Sequence, residues 1–113
     1  MGRKEDVMQI HTSSSHFSVT DAMRDRVQDR VAKAMNHFQD RIGRIDVNLK
    51  DTNGPKGGDD KTCRIDVSIE SLCRLSVEGR HEDLYAAIDD AAVRARRAVE
   101  KKLLKHRSIS RGR

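Results

Sequence analysis

The sequence predicts an α+β fold, a two-layer β-α-β-β-β-α domain with two helices packed on one face of a four-stranded sheet. Three observations predict it. Three segments in the middle of the chain alternate apolar and polar residues with period two, as half-buried strands do. Two flanking segments repeat apolar residues every three or four positions, as amphipathic helices do. No internal repeat or second domain breaks the 113 residues, so the helices have one sheet face to cover.

Val7 to Thr12 alternates Met8 and Ile10 with polar neighbours and reads as the first strand, with Ser13-Ser14-Ser15-His16 as a connection. Thr20 suits a helix cap and Asp21 the positive end of the helix dipole. Met23, Val27, Val31, Ala34 and Phe38 then form one helical stripe, which places the first helix over about 20–39. Ile45, Val47 and Leu49 alternate within a strand over residues 43–51. Asn53 to Asp60 holds the only proline and three of the seven glycines and reads as a long hairpin loop. Its glycines lack the GxxxxGK[ST] spacing of a phosphate-binding loop. Cys63, Ile65, Val67 and Ile69, then Cys73, Leu75 and Val77, mark a further hairpin turning near residues 70–72. Leu84, Ile88, Ala91, Ala95, Val99 and Leu103 track one face of a second helix over about 82–106. Residues 1–107 thus form a single domain, and 108–113 a basic tail expected to be disordered.

Charge is the strongest functional signal. Hydrophobic residues are 35% of the chain and charged residues 36%, with a net charge of +5. Residues 94–113 hold nine Lys and Arg against Glu100 alone, a net of +8, so the first 93 residues carry −3. Such asymmetry points to a polyanion partner, where the alternative is a solvated helix end. At about 100° per residue from Met23, Arg26, Arg30, Lys33 and His37 fall within roughly 280–340°, bordering the apolar stripe. Counted from Leu84, Arg94, Lys101 and Lys105 fall near roughly 260–300°, with Arg97 near 220°. A cationic stripe therefore runs along one border of each buried face. The competing reading is intrahelical pairing. Asp29 with Lys33 and Asp90 with Arg94 are i,i+4 pairs, but beyond Arg94 only Glu100 can serve the bases.

Other chemistry is excluded or weak. No run of about 18 apolar residues exists, so no membrane span is expected. Paired-carboxylate, nucleophile-elbow and HExxH patterns are absent, which argues against an enzyme, a small-molecule substrate and a cofactor. The five histidines lack ligand spacing, so no metal is expected. Cys63 and Cys73 occupy inward strand positions roughly 20 Å apart at 3.3 Å per residue, beyond disulfide reach, and read as buried free thiols. With three aromatics, base stacking on the sheet is disfavoured against phosphate and groove recognition of structured RNA. The N-terminus, Met1-Gly2-Arg3-Lys4-Glu5-Asp6, has no apolar h-region and carries acids, which argues against a signal or transit peptide, and a cytoplasmic location is expected.

Val19-Thr20-Asp21-Ala22-Met23-Arg24, Phe38 with Arg41-Ile42, and above all Glu82-Asp83-Leu84-Tyr85-Ala86-Ala87-Ile88-Asp89 resemble the bacterial ribosome hibernation-promoting factors. That family is also known as ribosome-associated inhibitor, protein Y or sigma-54 modulation proteins. The resemblance covers about residues 7–107. It implies an architecture like a double-stranded-RNA-binding domain. It further implies binding of the 30S subunit and its 16S rRNA near the decoding centre, where the protein would block mRNA and tRNA sites on idle ribosomes. It carries Arg24, Arg30, Lys33, Arg94, Arg97, Lys101 and Lys105 as RNA-binding positions. Arg24 comes from the resemblance alone, and the stripes add Arg26 and His37. Arg26 stands where an aromatic is common in the family. The chain is expected to lack the C-terminal dimerisation domain of long members. The alternatives are a generic duplex-RNA-binding module and a protein-interaction regulator of a sigma factor.

Overall fold

The computed structural model describes residues 9–15, 17–51, 61–69 and 73–111, with the side chains of the last helix through Lys105. Its elements are β1 (Gln9–Ser15), α1 (Asp21–Met35) with a 3-10 turn at Asn36–Phe38, β2 (Ile42–Asp51), β3 (Lys61–Ile69), β4 (Cys73–His81) and α2 (Leu84–Arg111). The strands lie in the order β1-β2-β3-β4. β1 runs parallel to β2, and the other two pairings are antiparallel. A parallel neighbour needs a crossover, which α1 provides.

The alternation read from the sequence sets the layers. Ile45, Val47 and Leu49 of β2 and Cys63, Ile65, Val67 and Ile69 of β3 are buried against the helices. From α1 come Val27, Val31 and Met35, and from α2 Leu84, Ala87, Ile88, Ala91, Ala95 and Val99. The edge strands are only half-covered: Ile10, Leu75 and Val77 pack against this core without being fully buried. The opposite sheet face is polar. Arg44 and Arg74 both reach Asp46 there, at 3.0 and 3.7 Å, Arg64 meets Asp66 at 3.2 Å, and Asn48 donates to Ser13.

Boundaries differ from the sequence reading in three places, at the end of β1, the end of α1 and the end of α2, while the cap of α1 is the residue the sequence suggested. Ser13–Ser15 belong to β1, because they pair with Asn48, Leu49 and Lys50 of β2 and gain backbone hydrogen bonds their side chains do not announce. Thr20 is the cap of α1, with extended backbone and an Oγ1 that accepts the Met23 N–H at 3.1 Å. The α-helix ends at Met35, where Asn36, a weak helix former, donates its N–H to the Lys33 carbonyl and tightens the last turn. α2 continues to Arg111, so the tail expected from residue 108 is helical through Arg111. Nothing before Gly112 stops it, and extending a helix already nucleated costs little. The Asn53–Asp60 loop, the turn at 70–72, and residues 112 and 113 lie outside the described residues.

The hairpin register matches the expected one, with Cys63 opposite Gly79 and Cys73 opposite Ile69. Both thiols are free, but only Cys63 is buried; Cys73, on the edge strand, is half-buried. Burial pushes the Cys63 thiol from 9.0 up to about 12. Folding therefore holds a proton that the unfolded thiol releases from about pH 9. This contribution to stability is full below pH 9 and is lost as pH rises toward 12. Alkylation at pH 8.5 is expected to spare Cys63 in the native protein and to modify it fully in urea, as read by mass spectrometry. Native labelling of Cys63 at the unfolded rate would contradict its burial.

Candidate nucleic-acid interface

α1 and α2 lie side by side on the same sheet face, so their outward arcs form one layer. Their seam is electrostatic. Arg26 donates from Nε and Nη2 to the two carboxylate oxygens of Asp89, both at 3.2 Å. Its guanidinium also sits 5.2 Å from the centre of the Tyr85 ring. Arg26 thus makes a flat contact with α2, through cation–π geometry. It is committed to the helix–helix contact, which the periodicity of α1 alone did not reveal. Arg30 comes from the next turn, its Nε 3.2 Å from Asp89 Oδ1.

Beyond that clasp the helices bound a groove of about 560 Å³, lined by Arg30, Lys33, His37, Arg96 and Arg97 over Ala34, Ala92 and Val93. Three members of the α1 stripe therefore meet in one place. Lys33 also pairs with Asp29 at 3.4 Å, the i,i+4 bond anticipated from spacing. The α2 stripe does not face them. Counting about 100° per residue from Leu84, Asp89 and Arg96 on the groove side lie near 120–140°, and Arg94, Lys101 and Lys105 near 260–300° on the far flank. Arg97 lies between, and with Arg96 it joins the groove to that flank. Arg96 was missed in the sequence because it borders the buried face on the side opposite the stripe. Only the packing of α1 shows that this side carries the seam.

The flank cations differ in how free they are. Arg94 is bound to Asp90 at 3.0 Å, again an i,i+4 pair. Arg97, Lys101 and Lys105 are exposed and form no ion pair among the described residues, and the same holds for Arg24 on the outer side of α1. The cationic surface is therefore a band that begins at Lys33 and His37, crosses the groove at Arg96 and Arg97, and continues along α2 through Lys101 to Lys105. Among the described side chains Leu103 is the last of α2 packed on the core, and the helix backbone runs about 12 Å past it at 1.5 Å per residue. Among the described residues no group of His, Cys, Asp or Glu could hold a metal, and no helix is long and apolar enough to cross a membrane.

The sequence profile of the sigma 54 modulation protein / S30EA ribosomal protein family matches residues 10–107. The chain belongs to that family. Membership makes it one of the ribosome hibernation factors, which act by binding and not by catalysis. It is 31% identical over 105 residues to the ribosome hibernation promoting factor of Azotobacter vinelandii, covering 88% of this chain and 83% of that one. To the ribosome hibernation promoting factor of Pseudomonas putida it is 28% identical over 110 residues, covering 93% and 96%. The N-terminal domain of Thermus thermophilus Protein Y superposes with a TM-score of 0.66 at 26% identity, over 84% of this chain and 96% of that one. A ribosomal subunit interface protein from Coxiella burnetii shares the fold, with a TM-score of 0.67 at 16% identity, over 89% and 99%.

Proposed function

We propose that this family member binds the small ribosomal subunit through the cationic band of its helical layer, near the decoding centre, and holds idle ribosomes inactive by blocking the mRNA and tRNA sites. The carrying observation is the run of exposed cations Arg97, Lys101 and Lys105, which form no ion pair among the described residues and are continuous with the groove cations on the same layer. Phosphates of 16S rRNA are the matching partner, since arginine forks and lysine point charges grip them without reading sequence. The names of the relatives support the ribosome as target, and family resemblance supports the decoding centre. On the opposite sheet face Arg44, Arg64 and Arg74 are each held by Asp46 or Asp66, so the cations without ion pairs among the described residues of α2 lie on the helical layer.

Co-sedimentation with purified 30S subunits across a salt series tests this. Co-migration at low salt is expected, with log affinity falling linearly and steeply in log salt. An excess of free duplex RNA that strips the protein from 30S subunits would favour a generic duplex-binding module. Absence of co-migration at low salt rejects the proposal.

A further inference from the structure

We propose that Asp89 is an internal stand-in for an RNA phosphate: it occupies the Arg26–Arg30 pair in the free protein and yields Arg30, not Arg26, to a backbone phosphate. The inference deepens the RNA-binding reading, on which it rests. One carboxylate serves two guanidinium groups, and it serves them unequally. Both of its oxygens take hydrogen bonds from Arg26, in the two-point geometry a carboxylate shares with a phosphate. Tyr85 backs the same guanidinium. Arg26 is thus held on two sides.

Arg30 is not. Its Nε lies 3.2 Å from Asp89 Oδ1, yet the alignment makes no hydrogen bond, and this shielded N–H has no other acceptor among the described residues. Asp29 stands 3.9 Å away and is shared with Lys33. A donor withdrawn from water without an acceptor is a standing cost that an incoming oxyanion relieves. The Arg30 side chain is 42% exposed and lines the groove, so a phosphate can reach it. Around it stand Lys33, Arg96 and Arg97 against Asp89, the only carboxylate among the described residues lining the groove. The electrostatics of the groove therefore favour a second anion beside Asp89. Asp89 in turn keeps Arg26 and Arg30 from repelling each other while no anion is bound.

The test follows the two Nε–H groups by NMR while inorganic phosphate is added to the full chain. The Arg30 signal is expected to shift and saturate while the Arg26 signal stays in place. In Asp89→Asn, which keeps the shape and removes the charge, half-saturation is expected at several-fold lower phosphate. An Arg30 signal that does not respond in the wild-type protein overturns the inference, as does a variant that binds phosphate no more tightly while melting like the parent. The wild-type titration decides the matter even if the variant folds poorly. An Arg30 response in a protein that fails to bind 30S subunits would sink the ribosomal reading while supporting this one.

Discussion

Replacing Arg97, Lys101 and Lys105 together by glutamate is expected to weaken 30S binding by at least about a hundredfold, and to flatten its salt slope by about three. The three residues stand four apart on one row of α2, are exposed, and have no ion pair among the described residues. Their loss therefore costs the fold almost nothing. The row of like charges they form is already slightly unfavourable to the helix, by a few tenths of a kcal/mol per pair, and three glutamates repeat that condition. The effect must then appear in binding alone. Melting temperature measured beside affinity checks this. Arg44→Gln with Arg74→Gln, on the opposite sheet face, removes two charges and is expected to leave the slope unchanged. Equal losses from both sets would mean that total charge, not the helical band, governs association. Retained binding in the triple variant would remove α2 from the interface.

The same residues show how much of the site could be read from one dimension. Each helix announces its own cationic border, because 3.6-residue periodicity fixes which side chains flank the buried stripe. Nothing in either helix alone says which border faces the other. Arg26 and Asp89 are 63 residues apart, and their pairing is a property of how two stripes are phased on one sheet. Hence Arg26 reads as a surface cation when it is a strut, and Arg96 goes unnoticed although it faces the groove. The strands of the central hairpins are legible because their alternation carries the core. β1 is legible only where Ile10 sits, since Ser13–Ser15 earn their place by backbone pairing to β2. The end of α2 is misplaced for the complementary reason: basic and serine-rich residues look like a tail, yet no stop signal precedes Gly112.

Gly79→Ala is expected to destabilise the fold by about 3 kcal/mol, the upper part of the usual range for overpacking. Gly79 occupies an inward position of β4, in ordinary strand backbone, so space and not φ demands a glycine. An added Cβ would lie 2.6 Å from the Ala87 carbonyl oxygen, 2.6 Å from the Ala91 nitrogen and 3.1 Å from the Ala91 Cα. All three are backbone atoms of α2, and a helix backbone does not swing aside as a side chain does. To restore ordinary contact α2 must lift from β4 by about 1 Å, and a gap of that size forfeits a quarter to a half of each contact it opens. Leu84, Ile88 and Ala95 are seated by the same approach and loosen together. Against this stands a gain of roughly 0.4–1 kcal/mol from stiffening the unfolded chain, too small to reverse the sign. For a domain of this size the melting temperature should fall by roughly 10 °C. Ala91→Gly should not rescue the variant, because the obstructing atoms belong to the backbone that glycine retains. Urea denaturation of the single and double variants decides it. A Gly79→Ala protein within about 1 kcal/mol of the parent, or one repaired by Ala91→Gly, would mean that α2 does not rest on β4 at this point.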